Sequence, residues 1–447
     1  MGYARPVSCA HAWASLAAGE AEDLFTIETA AITFGRGAVR ELGQVLRGAS
    51  PAGRRVALFT DAVVGGLAFA ASARRALADA GFDVVVFDRV RVEPTDASFG
   101  EAAAFAKEGR FDAYVSVGGG SVIDTCKAAA LYATYPADFL AYVNAPVGEG
   151  RAIPGALPPH VACPTTAGTG SELTGIAVCD VLALQAKTGI ASRRLRPTAA
   201  VVDPDATDTL PAGVVAAAGF DVLCHALESY TARPHVTRPR AASAAARPMS
   251  QGRNAWSDLG SREALRLAGR NLARAVRDAD DREAREQMMW AATLAGVAFG
   301  NAGVHVPHAM AYAVAGLAES FHMPGYPAGE PLVPHGVSVV VGAPAAFRFT
   351  ASACPDRHLE AAALLGADVR GAAAEDAGEV VASTLARLMR EASVPGDLAG
   401  LGYGEGHLPA LVAGTIVQKR LLDNAPRPVS REDLEHVFAR ALGGGAS

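Results

Sequence analysis

The stretch Ala113-Tyr114-Val115-Ser116-Val117-Gly118-Gly119-Gly120-Ser121-Val122-Ile123-Asp124-Thr125-Cys126-Lys127 reads as an apolar strand, a glycine turn and the first turns of a helix. A helix start leaves backbone N–H groups free, and glycines let a phosphate come close. Gly118, Gly119, Gly120 and Ser121 therefore make a candidate diphosphate site. The run is not the G-x-G-x-x-G fingerprint, because Ile123 stands where the third glycine would be. A strand followed by such a turn is, by itself, equally a plain tight turn.

Outward from this point the pattern alternates. An apolar strand Val56–Phe59, a helical stretch near 67–81, a strand Val84–Phe87, a helix near 97–108 and the strand Ala113–Val117 follow one another. Repeated βαβ units imply a parallel sheet, whose ligands bind beyond the carboxyl ends of the strands. Asp61, Pro94, Thr95 and Gly118–Ser121 all fall at such ends. A carboxylate at Asp61 could bond an adenosine ribose and would repel a 2′-phosphate, favouring NAD over NADP; an ordinary turn aspartate is the alternative. A second glycine-hydroxyl run, Pro164-Thr165-Thr166-Ala167-Gly168-Thr169-Gly170-Ser171-Glu172, offers Thr165, Thr166, Thr169 and Ser171 for ribose and nicotinamide contacts, or is a polar loop.

After Val201-Val202-Asp203-Pro204 the alternation gives way to helical periodicity, as in Leu265, Ala268, Leu272 and Val276. The expected division is an α/β dinucleotide-binding domain at 1–207 and an all-α metal-binding domain at 208–447. Residues 232–258, with Pro234, Pro239 and Pro248 and the arginines Arg233, Arg238, Arg240, Arg247 and Arg253, read as a long loop. It is either functional or a solvated insertion.

At 447 residues, with 50% apolar and 19% charged residues, the chain has the profile of a two-domain globular enzyme. A net charge of -6 without a basic stripe argues against nucleic acid as a partner. The first residues are too short and polar a stretch for a membrane span. Six scattered cysteines, without C-x-x-C pairs, read as reduced thiols of a cytoplasmic protein. Residues 1–18 are Ala-rich with no acid before Glu20, so an organellar matrix is the alternative. A homodimer or higher homo-oligomer is expected from general frequency.

Asp221 and His225, four apart on one predicted helix, project from the same face and can share an ion. With His308 and His335 they form a mixed N and O donor set that suits Fe(II) or Zn(II) better than Mg or Ca. By spacing alone, His305, His322 and Glu228 could equally be chosen.

The chain resembles the iron-containing alcohol dehydrogenase superfamily over nearly its whole length. The resemblance rests on Phe34-Gly35-Arg36-Gly37-Ala38, Gly118-Gly119-Gly120-Ser121 with Asp124, the run 164–172, and Gly219-Phe220-Asp221-Val222-Leu223-Cys224-His225-Ala226-Leu227-Glu228. It implies bound NAD, with Asp124 among the cofactor-loop residues, and a metal held by Asp221, His225, His308 and His335. The runs Val90–Asp96, Phe111–Val115, Asn301–His305 and Pro331–Gly336 are similar to the family's transhydrogenase branch, which moves a hydride from 4-hydroxybutyrate to 2-oxoglutarate. Many alcohol-specific members carry a second histidine four residues after the third ligand, where this chain has Tyr312. A tyrosine is a poor proton acceptor at neutral pH, which sets a histidine relay aside and fits the transhydrogenase branch.

Overall fold

The strands are β1 (Ala31–Phe34), β2 (Arg55–Phe59), β3 (Asp83–Phe87), β4 (Ala113–Gly118), β5 (His160–Pro164), β6 (Ile176–Val181), β7 (Ala186–Ala191) and β8 (Ala199–Val202) in the computed structural model. The structure describes residues 13, 19–184, 186–327 and 331–443. Six strands form a sheet in the order β1-β8-β5-β4-β2-β3, every pairing parallel. Strand alternation sorts the side chains to two faces. Val56, Leu58, Val115 and Val117 pack on one side with Leu42, Leu46 and Leu77, while Ala57, Phe59 and Tyr114 pack on the other with Phe87, Phe111 and Cys126. Both faces are covered, as a parallel sheet requires.

The winding reverses between β2 and β4, because the chain leaves β2 toward β3 and returns on the opposite side of β2. Such a reversal opens a crevice at the carboxyl ends of the two strands. Asp61 and Gly118–Ser121 sit at those two ends. The sequence pattern did not reveal the β6–β7 hairpin, which pairs antiparallel beside this sheet.

The second half is helical among the described residues. Its central helix, Ala212–Thr231, is long and apolar enough to cross a membrane, yet 78% of the qualifying window is buried inside the fold. It is the core helix of this half. The helices Ala255–Arg277 and Arg282–Ala302 pack against it and each other.

The chain divides into two compact units, Thr29–Leu210 and Pro211–Ser447, with the described residues of Met1–Glu28 belonging to the second. Amide side chains tie that segment in. Gln251 accepts from Thr26 N at 2.7 Å and donates to Thr26 O at 2.8 Å, and Asn301 does the same for Glu28 at 3.0 and 3.1 Å.

Candidate metal centre and nucleotide loops

Asp221 and His225 lie one turn apart on the Ala212–Thr231 helix, His308 lies in the first turn of the helix Val306–Gly316, and His335 opens the helix His335–Val340. Nε2 of His225, His308 and His335 stand 3.5, 3.4 and 3.7 Å from Asp221 Oδ1. Donor atoms of Asp221, His308 and His335 all lie within 4.8 Å of one another. His225 joins them through Asp221, with its ring stacked on His308 at 4.6 Å and on Phe299 at 3.9 Å.

The residues fit a divalent cation on three grounds. Both carboxylate oxygens of Asp221 and Nε2 of His308 are buried and without a hydrogen-bond partner, a cost that coordination would remove. Glu228, one turn beyond His225, accepts a 2.6 Å bond from His308 Nδ1, which leaves Nε2 as the nitrogen that would face an ion. Finally, Asp221 and Glu228 place two carboxylates in one buried cluster, charge that a divalent cation would offset.

The titration directions agree with this balance. Burial opposes charge on Asp221, yet the imidazoles of His225, His335 and His308 hold its carboxyl well below the usual range. Burial pushes His225 down to about 3. It also acts against a charged His308, but Glu228 and Asp221 together raise that imidazole to about 9, so in the ion-free chain Nε2 carries a proton that a bound cation would displace.

Spacing left Glu228 and His305 as competing ligands, and the structure separates their roles. Glu228 orients His308, and its other oxygen accepts from His305 N at 2.6 Å. His305 caps its own helix through Nδ1 and meets Thr231 Oγ1 at 3.0 Å. His322 bonds Ser320 O at the surface. Gly336 admits the third ligand helix, because a Cβ there would lie 1.9 Å from Ala217 O. Tyr312 follows His308 by one turn and is half-buried.

In the α/β unit the two glycine-hydroxyl runs meet. A Cβ on Gly119 would lie 3.3 Å from Thr166, and one on Gly120 would lie 2.6 Å from Thr169, so these glycines serve close approach. Gly119 caps the helix Gly120–Thr134 without a side chain, leaving its first N–H groups open toward a phosphate. The hydroxyls of Thr165 and Thr60, after β5 and β2, are buried without partners, which fits a polar ligand at these strand ends. Thr60 was not singled out in the sequence, having no glycine beside it.

Other expected contacts are engaged within the protein. Asp124 turns inward: Oδ1 accepts from Ser171 Oγ and Lys127 Nζ, and Oδ2 from Val178 N at 2.9 Å. Lys127 is fully buried and also donates to Ser171 Oγ and Ile176 O, at 2.6 Å each. Asp124 and Ser171 thus join the two cofactor loops from beneath. Asp61 Oδ1 caps the turn Ala62–Gly65, and Thr95 caps the helix Asp96–Gly109 in a capping box with Ser98. Pro94 O accepts from Asp180 N of the hairpin. Glu93, at φ 54°, donates its N–H to Ser121 Oγ and pairs with the buried Lys187 at 2.7 Å.

The loop expected at 232–258 ends at Asn254, which caps the helix Ala255–Arg277, and most of its arginines are likewise occupied. Arg240 pairs with Asp23, Arg247 with Glu22, and Arg233 bonds Thr237 and covers the Trp13 ring at 3.7 Å.

Residues 29–204 match the family description "Iron-containing alcohol dehydrogenase", and residues 249–442 match "Fe-containing alcohol dehydrogenase family, C-terminal". The mitochondrial hydroxyacid-oxoacid transhydrogenase of Bos taurus is 48% identical over 420 residues, covering 94% of this chain and 90% of its own length. The Homo sapiens protein of the same name is 47% identical with the same coverage. Among solved structures, a 1,3-propanediol oxidoreductase superposes with a TM-score of 0.81 at 28% identity, over 94% of this chain and 100% of the other. The alcohol dehydrogenase from Oenococcus oeni gives a TM-score of 0.81 at 26% identity with equal coverage. Fold, ligand cluster and both matched regions lead to one conclusion: this chain belongs to the iron-containing alcohol dehydrogenase family.

Proposed function

We propose that this chain is a hydroxyacid-oxoacid transhydrogenase that moves a hydride from 4-hydroxybutyrate to 2-oxoglutarate, giving succinic semialdehyde and 2-hydroxyglutarate. The observation that carries the reading is the 48% identity, over 94% of the chain, to relatives of that name. The buried Asp221–histidine cluster supports it. Those names also carry the word mitochondrial, which favours the organellar alternative over a cytoplasmic location.

In this reading Asp221, His225, His308 and His335 hold Fe(II), with Zn(II) acceptable to the same donors. Gly118–Ser121 with Thr165, Thr166 and Thr169, flanked by Pro94 and Thr95, would hold NAD, and the second oxygen of Asp61 would take its ribose. When bound, the metal supplies Lewis acidity to a hydroxyl or carbonyl oxygen and the nicotinamide supplies the hydride carrier. Glu228 keeps His308 in one tautomer and orientation. Phe299 holds the plane of His225. Asp124, Lys127 and Ser171 keep the cofactor loops in register through both half-reactions. Tyr312, one turn after His308, orients the substrate oxygen rather than taking its proton.

The second reading is an ordinary NAD-dependent dehydrogenase, favoured by the names of the solved structural neighbours. Metal-loaded protein incubated with both acids and no added NAD distinguishes the two. The transhydrogenase reading predicts equal amounts of succinic semialdehyde and 2-hydroxyglutarate over many turnovers. A stoichiometric demand for NAD, with NADH accumulating from the hydroxyacid alone, contradicts it.

A further inference from the structure

We propose that Arg253, on a segment that Arg238 also approaches, is a carboxylate-binding residue in the helical unit that receives the carboxylate remote from the reacting carbon of the substrates. The choice of ligand rests on the transhydrogenase reading. Arg253 is 5% exposed, and its Nε and Nη2 are buried without a partner. Those two groups form one edge of the guanidinium, the fork that matches both oxygens of a carboxylate. A buried guanidinium edge without an acceptor is costly, so its persistence points to an anion supplied from outside the chain.

Arg238 adds to the same demand. Its Nη2 donates to Asn424 Oδ1 at 2.5 Å, but its Nε is buried and without a partner. Burial, and then the neighbouring Arg233, push its guanidinium down to about 10. Arg238 approaches the segment that carries Arg253: a Cβ on Gly252, the residue before it, would lie 3.3 Å from Arg238 Nε. Gly252 adopts φ +87° and leaves that space open.

The backbone ties the Arg253 segment to a helix that reaches a metal ligand. Gln251 N and Gly252 N donate to Asn301 O and Ala302 O, each at 2.9 Å, on the last turn of the helix Arg282–Ala302. Phe299, one turn back, is the ring stacked on His225. Arg253 therefore directly follows two residues bonded to the last turn of the helix that carries Phe299.

The test compares Arg253→Met and Arg253→Lys with the parent, all metal-loaded. Sodium glutarate binding is followed by calorimetry, and kcat/KM for 4-hydroxybutyrate is expressed relative to that for butane-1,4-diol. The proposal predicts that glutarate Kd rises, and the acid-to-diol ratio falls, by roughly 10- to 100-fold in the Met variant. The Lys variant, which keeps the charge but loses the fork, should show a smaller loss of the same kind, and it decides the question if the Met variant does not fold. Unchanged glutarate binding and an unchanged ratio overturn the site. Weaker glutarate binding with an unchanged ratio assigns it to an effector anion and overturns the substrate role. If the parent oxidises 4-hydroxybutyrate only with added NAD, the transhydrogenase reading fails, while the ratio still tests Arg253.

Discussion

Asp221→Asn is expected to strip the protein of its metal and to lower turnover of 4-hydroxybutyrate by about three orders of magnitude. A full four-ligand protein site is worth about 10–16 kcal/mol, or about 2.5–4 kcal/mol per ligand, which corresponds to roughly 60- to 700-fold in affinity. Asp221 contributes more than that share. It is the one anionic donor of the set, it is 2% exposed at its side chain, and all three imidazoles face its Oδ1 at 3.4–3.7 Å. Asn keeps the volume and removes the charge, so the fold should be retained. Metal content by plasma emission, with far-ultraviolet circular dichroism as the folding control, checks the result. A variant that keeps stoichiometric metal and parental turnover would remove Asp221 from the centre.

Gly336→Ala should give the second largest effect, through packing alone. The added Cβ would meet Ala217 O at 1.9 Å and Asp221 N at 3.0 Å, both backbone atoms of the central helix that cannot rotate aside. The helix beginning at His335 must then move away from Asp221. Overpacking of this kind costs about 1–3 kcal/mol, and a shift of about 1 Å at a reacting centre costs about 100-fold in rate. Gly100→Ala is the matched control: it lies inside the helix Asp96–Gly109 with nothing within 4 Å of the new Cβ. That substitution should be neutral or stabilise by about 0.5–1 kcal/mol. Parental metal content and melting temperature in Gly336→Ala would show that the helix contact does not position His335.

The strong periodic signals made the first half readable. Val56–Phe59, Val84–Phe87 and Ala113–Val117 each lie within an observed strand, because buried parallel strands are short apolar runs bounded by turns. The four candidate ligands could be named because each lies in a glycine- or proline-marked segment, and three of them meet on Asp221. What stayed hidden depends on long-range contacts. Nothing local in Thr26 or Glu28 says that Gln251 and Asn301, more than 200 residues away, will bind their backbones. The hairpin β6–β7 earns its place through Asp180 and Lys187, which reach the loop at Glu93 and Pro94. Glu228 has ligand-like spacing, and the 2.6 Å contact with His308 Nδ1 is what shows it to be an orienting group. Asp124 and Ser171 have the residue types of cofactor contacts, but burial of Lys127 between them turns both inward.

Hydride passage through a retained cofactor is the central claim, and deuterium tracing tests it most directly. Metal-loaded protein is given 4-hydroxybutyrate deuterated at C4, 2-oxoglutarate, and an excess of unlabelled NADH in solution. The account predicts deuterium at C2 of 2-hydroxyglutarate with none in the free NADH pool. Unlabelled 2-hydroxyglutarate, with deuterium appearing in the pool, would contradict it.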